Sequence, residues 1–261
     1  MARKSPRTNP LSRLDAPDID PVFGVMMRCR QDQRADKIDL TAGVYCTPEG
    51  PGPVMRAVRR AERQLVETES SKTYRGLAGD VEFNQRLTRE ILGDARLEAR
   101  CGTVQTIGGS GALRAIAELI DYAAPDTRLW LPNQSWNYHP ILLGPAGLKL
   151  ERYPYYDEDR HGIDFARMLA ALEQIPAGDA VLFHVCCHNP TGADLDDDQW
   201  RRVAQVMAER RLLPFMDAAY HGFARDWDSD LLPVRRMADA CPEVLVSVSC
   251  SKNFGLYRDR I

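Results

Sequence analysis

Ser247-Val-Ser-Cys-Ser-Lys-Asn-Phe-Gly-Leu-Tyr-Arg-Asp-Arg-Ile261 is the stretch on which the reading of this chain turns, and Lys252 is its centre. Just before it, Val244 to Val248 is β-branched and apolar enough for a buried strand, which puts Lys252 past a strand's carboxyl end. Open α/β sheets keep their ligands there. A lysine amine attacks carbonyls when desolvation or nearby positive charge leaves part of it neutral, and Arg258 and Arg260 are the candidates for that charge.

Working outward, the pattern from Thr103 onward alternates strands with helices. The expected strands are Thr103–Ile107, Arg128–Leu131, Lys149–Tyr153, Ala180–Cys186, Leu213–Met216 and Val244–Val248. Helices are expected between most of them, for example Gly111–Tyr122 and Asp197–Arg210. This is the signature of a mostly parallel sheet covered on both faces, a three-layer α/β/α arrangement. Asp20-Pro21 opens a helix to about Arg34, Ile38-Asp39-Leu40 suggests a short strand, and Pro53 begins a helix with Val54, Val58, Ala61 and Leu65 on one face.

Chemistry-bearing residues stand just past the expected strands. Gly108-Gly109-Ser110-Gly111 leads into a helix, and glycines beside a helix N-terminus let backbone N–H groups approach a phosphate. The turn lacks both GxxxxGK[ST] and GxGxxG spacing, which disfavours a nucleotide or a dinucleotide. Trp136 lies in PNQSWNYH, Asn189 in HNPTG, and Asp217 and Tyr220 in FMDAAYHGF.

SxSKNFGLYxxR resembles the cofactor-lysine segment of the class I, fold type I aminotransferases that use pyridoxal 5′-phosphate, in particular the aspartate and aromatic amino acid subgroup. Six motifs occur in that family's order between Leu40 and Ile261. The resemblance implies that Lys252 holds the cofactor aldehyde through a Schiff base, and that Ser249 and Arg260 bind its phosphate with Gly109, Ser110 and Gly111. It implies that Trp136 stacks on the ring, that Asp217 faces the ring nitrogen with His139 behind it, and that Asn189 and Tyr220 serve the phenolic oxygen. Tyr74, in SKTYRGLAG, matches a tyrosine that reaches the other subunit's phosphate. Gly43, in LTAGVYCTPEGPGP, matches a glycine whose backbone lies against substrate, beside Trp136 and Asn189; its spacing alone also suits a plain turn. His221 stands where many relatives have glutamine.

The implied function is transfer of an amino group between an aspartate-type or aromatic amino acid and a 2-oxo acid, with Lys252, Asp217, Tyr220 and Trp136 catalytic. The implied organisation is an N-terminal arm and the start of a small domain at 1–47, and a cofactor-binding large domain at 48–261. Relatives of this kind continue beyond Arg260 with a further strand and most of the small domain, including the arginine that grips the substrate α-carboxylate. The large domain is therefore expected to be incomplete at its C-terminus, and the isolated chain aggregation-prone. The alternative to an enzyme is a truncated, noncatalytic remnant that binds at most cofactor or a full-length partner; a homodimer is implied for the completed protein.

The composition is that of an ordinary soluble globular protein. At 261 residues, 44% hydrophobic and 27% charged, the chain can bury a core, and a formal net charge of -3 gives no reason to expect nucleic acid or an anionic membrane as partner. There is no apolar run of transmembrane length and no signal-peptide pattern, so the expected location is cytoplasmic. Residues 1–14 carry Arg3, Lys4, Arg7 and Arg13 with no acid, which suits a disordered arm or a transit peptide. Seven scattered cysteines without a CxxC pair are read as reduced. His184, Cys186 and His188 fall on one face of an expected strand, as a metal site or as a buried strand.

Overall fold

The computed structural model describes residues 21–41, 43–48 and 50–261. The chain separates into two compact units, one ending at Gly52 and one running from Pro53 to Ile261. In the first, helix α1 (Pro21–Gln31) is followed by a short antiparallel pair, β1 (Cys46–Thr47) and β2 (Gly50–Pro51). Asp20, expected as the α1 cap, and the 1–14 arm lie outside the described residues. Ile38–Leu40 is not a strand: among the described residues no neighbouring strand pairs with it, and Ile38 and Leu40 are exposed.

The second unit runs α2 (Arg56–Thr68), α3 (Val81–Leu92), α4 (Ala95–Glu98), α5 (Gly108–Ala123), β3 (Arg128–Pro132), α6 (Tyr138–Leu143), β4 (Lys149–Tyr153), β5 (Tyr156–Asp157), β6 (Gly162–Ile163), α7 (Phe165–Leu172), β7 (Ala180–His184), α8 (Asp197–Arg210), β8 (Leu213–Ala218), α9 (Trp227–Ala240) and β9 (Leu245–Val248). Five of these strands form one sheet in the order β4-β3-β7-β8-β9, and every neighbouring pair is parallel.

The pleat divides the core in two. From β7, Val181 and Phe183 pack with α3, α4, α7, α8 and α9, while Ala180 and Leu182 pack with α5 and α6. Because successive strand side chains face opposite ways, a strand covered on both sides must be apolar throughout, and all five residues of β7 are buried. That double covering is the three-layer α/β/α arrangement. Local signals set helix ends: α8 opens on a capping box of Asp196 and Gln199, and α3 runs from an Asp80 cap to left-handed Gly93.

Several sequence expectations need correction. Thr103–Ile107 is not a strand; the Gln105 N–H donates to the Ala78 carbonyl at 2.9 Å, and among the described residues no further ladder forms beside β9. The strand expected over Ala180–Cys186 ends at His184, so His184, Cys186 and His188 do not share a strand face; Cys187 takes a left-handed φ of 46° and breaks the alternation. The helix expected from Gly111 begins at Gly108, which places the glycines inside its first turn. Helix α2 starts at Arg56 rather than Pro53 and has no buried residue, so its apolar face finds no core among the described residues.

Candidate active site

Neighbouring strands in register carry the centre of the site. Asp217 of β8 is paired with His184 of β7 on one side and with Ser247 of β9 on the other. In a parallel ladder such partners present their side chains on the same face. Here that face is the one toward α5 and α6. From α6, His139 approaches Asp217 with Nε2 3.2 Å from Oδ2, and Ser247 Oγ donates to Oδ1 at 2.6 Å.

Burial alone would push the Asp217 carboxyl up. The hydrogen bond from His139, joined by the nearby histidine rings and by the Ser247 hydroxyl, outweighs it and holds the carboxyl below its ordinary value. An ionised carboxylate only accepts, so His139 Nε2–H is the donor. Burial, reinforced by His188 and His139, keeps the pKa of His184 well below the ordinary histidine value, hence neutral, and its Nδ1 accepts from the Asn189 N–H at 3.4 Å. His184 Nε2–H therefore donates to Ser135 Oγ at 3.2 Å, and the Ser135 hydroxyl donates to His139 Nδ1 at 2.8 Å. A single hydrogen-bond chain thus runs from Asn189 through His184, Ser135 and His139 to Asp217.

Over this floor lies a cavity of about 170 Å³. Its lining includes Gly109, Ser110, Trp136, Asn189, Asp217, Tyr220, Ser249, Lys252 and Arg260. The Lys252 ammonium lies 4.5 Å from the centre of the Tyr220 ring. Burial lowers the Lys252 pKa, Asp217 opposes that, and Arg260 adds to it. Of the two arginines expected to act on Lys252, only Arg260 does so; Arg258 is exposed and outside the lining.

The mouth of the cavity suits a phosphate. The N-cap of α5 is Ile107, whose side chain satisfies no backbone donor, so helix geometry leaves the amides of Gly109 and Ser110 without an intrahelical acceptor. The partial positive charge of that terminus adds to the Arg260 guanidinium. A methyl on Gly109 would come within 3.1 Å of Ser249 Cβ, so glycine is what keeps this cradle open. Anion donors at one end, a lysine whose pKa burial lowers and a buried carboxylate at the floor fit pyridoxal phosphate.

Four expected residues stand apart from that lining. His139 lies behind Asp217 rather than on the cavity wall. Gly111 faces Thr106 and Ile107. Tyr74 is fully exposed, and Gly43, in the first unit, has open space beside its Cα. Conversely, Leu113, Ser251 and Tyr257 line the cavity without having been marked from the sequence, and Cys186, marked there only as part of a metal site or a buried strand, lines it too. Ser251 and Tyr257 sit inside the lysine segment and could have been suspected from that position; Leu113 and Cys186 carry no polar signal that separates them from core residues.

Residues 35–261 match the family model described as aminotransferase class I and II. The chain is 49% identical over 245 residues to the aromatic-amino-acid aminotransferase of Pseudomonas aeruginosa, covering 93% of this chain and 61% of that protein. It is 42% identical over 252 residues to the aspartate aminotransferase of Escherichia coli, covering 95% and 63% respectively. Among solved structures, an aromatic-amino-acid aminotransferase of Burkholderia pseudomallei, covalently bound to pyridoxal phosphate, superposes with a TM-score of 0.93 at 38% identity. That match covers 97% of this chain and 64% of the other. The chain therefore spans somewhat under two thirds of the length of the relatives it matches.

Proposed function

The chain belongs to the class I and II aminotransferases, and from that premise we propose that it serves amino-group transfer between an aspartate-type or aromatic amino acid and a 2-oxo acid. The observation that carries this reading is the convergence of Lys252, Asp217, Asn189, Tyr220 and Arg260 on one cavity beneath the uncapped start of α5.

Pyridoxal phosphate, the cofactor of this family, supplies when bound a carbonyl that condenses with amines and a ring that takes up the electron pair left at the substrate Cα. The residues of this chain divide the remaining work. Arg260, Ser249, Ser110 and the amides of Gly109 and Ser110 hold the phosphate, Arg260 by a charge-assisted contact. Trp136, on the cavity wall, would supply a flat apolar face for the ring. Asp217, kept ionised, holds a proton on the ring nitrogen, while Asn189 and Tyr220 bind the phenolic oxygen. Lys252, its pKa lowered by burial, would be the residue that holds the cofactor covalently and, once displaced from it by the substrate amine, the base that moves the proton at the substrate Cα. We assign Tyr74 to the phosphate of a second copy, Gly43 to the substrate, 1–47 to an arm and the start of a small domain, and 48–261 to the cofactor domain.

A second reading, that the 261-residue chain holds cofactor without turning over, has one observation in its favour. Among the described residues, Arg260 is the sole guanidinium of the cavity lining, and the assignment proposed above gives it to the phosphate. A substrate carboxylate left unanchored forfeits the orientation that proton transfer needs. Borohydride reduction with pyridoxal phosphate followed by peptide mapping should mark Lys252; marking elsewhere, or none in folded protein, removes the cofactor assignment. Assays with glutamate, aspartate or phenylalanine as donor and 2-oxoglutarate or oxaloacetate as acceptor then separate the two readings.

A further inference from the structure

We infer that Ser247 is a positioning residue for Asp217, acting with His139 as the second arm of a clamp on its carboxylate; its meaning for catalysis rests on the function proposed above. Three observations lead there. The β8–β9 register makes Ser247 the direct neighbour of Asp217. Ser247 is wholly buried, so water does not compete for its single hydroxyl hydrogen. That hydrogen has Asp217 Oδ1 at 2.6 Å, while His139 takes Oδ2 at 3.2 Å from the α6 side.

Two donors from different elements, one on each oxygen, resist rotation of the carboxylate about its Cβ–Cγ bond. They also stabilise the ionised form, since a hydrogen bond to a charged group is worth about twice one between neutral groups. A ring nitrogen facing Asp217 then meets a carboxylate of fixed orientation and low proton affinity. His139 alone would hold one oxygen and leave the other buried without a donor, which is costly. Ser247 acts through Asp217 and does not itself line the cavity.

The test is a carbon-13 carboxyl titration of Asp217 in the protein without cofactor, for wild type, Ser247→Ala and Ser247→Thr. Loss of the hydroxyl should raise the proton affinity of Asp217 about tenfold or more, a midpoint shift of about one pH unit or more, and threonine should restore it. Should the alanine variant not fold, Ser247→Cys, which keeps volume but offers only a weak donor, should move the midpoint in the same direction. In the cofactor-loaded protein, Ser247→Ala should shift the absorbance titration of the bound group, and the shift should vanish in an Asp217→Asn background. An unmoved Asp217 midpoint, or a spectral shift that persists in the Asp217→Asn background, overturns the inference. If wild type takes up no cofactor the proposed function fails instead, and the cofactor-free titration still decides the role of Ser247.

Discussion

The Lys252 ammonium sits 4.5 Å from the centre of the Tyr220 ring, 32 residues earlier in the chain, so the aromatic face is part of the environment that sets the charge of the lysine. A ring face attracts a cation by about 0.5–2 kcal/mol, which favours the protonated amine and opposes the effect of burial. Tyr220→Phe keeps that face and should leave the Lys252 pKa near the wild-type value. Tyr220→Leu removes it and should lower the pKa by roughly 0.4–1.5 units. The pH dependence of Lys252 acetylation in cofactor-free protein measures both; a Leu variant titrating like wild type would show that the ring contributes nothing.

Arg260 reaches the same cavity from the far end of the lysine segment. Arg260→Ala should weaken binding of pyridoxal phosphate by about 1.5–3 kcal/mol, the worth of a hydrogen bond to a charged group. Arg260→Lys should recover only part, because a lysine cannot reproduce the planar two-point contact. Equilibrium titration of the cofactor checks this, and equal affinities for wild type and Arg260→Ala would remove Arg260 from the phosphate site.

Gly108 couples backbone to that site. It opens α5 with φ of 60°, and a Cβ there would stand 3.0 Å from Arg260 Nη2. Gly108→Ala should cost about 1–2 kcal/mol of stability through left-handed strain and should also loosen the cofactor by displacing the guanidinium. In an Arg260→Ala background the loss of affinity should shrink while the loss of stability stays. Urea unfolding and cofactor titration of the four proteins separate these effects.

Much of this site was legible from the chain because its residues belong to short contiguous motifs placed where strands end. Asn189, Asp217, Tyr220 and Lys252 each follow an apolar run, and apolar runs of four to eight residues carry their own signal. Ser247 carried none: its role depends on which strand lies beside β9 and in what register, facts that reside in pairing between distant segments. Thr103–Ile107 failed for the opposite reason. Its composition suits a strand, but a strand exists only where a partner accepts its hydrogen bonds. Ile38–Leu40 shows the same limit, and Cys187 shows how one left-handed residue ends an alternation that composition alone would continue.

The last expectation concerns acid. His188 is buried, stacked on Tyr155 with ring centres 4.3 Å apart and hydrogen-bonded through Nδ1 to Thr191 Oγ1 at 2.9 Å. Burial, followed by the charge of His139, pushes its pKa down to about 4 from an ordinary 6.5. The unfolded chain therefore binds more protons than the folded one between those values, so stability must rise with pH across that window. The contribution is fully present above pH 6.5 and is lost as pH falls toward about 4. A shift of this size corresponds to roughly 3 kcal/mol over the whole window. His184, lowered by the same burial, acts in the same direction. His188→Phe keeps a ring for Tyr155 but cannot titrate. It should lose about 1 kcal/mol at about pH 7.5 for the lost Thr191–His188 hydrogen bond, yet fall less than wild type between about pH 7.5 and 5. Urea unfolding at the two pH values decides; equal pH dependence in the two proteins would mean that His188 is not a source of acid sensitivity.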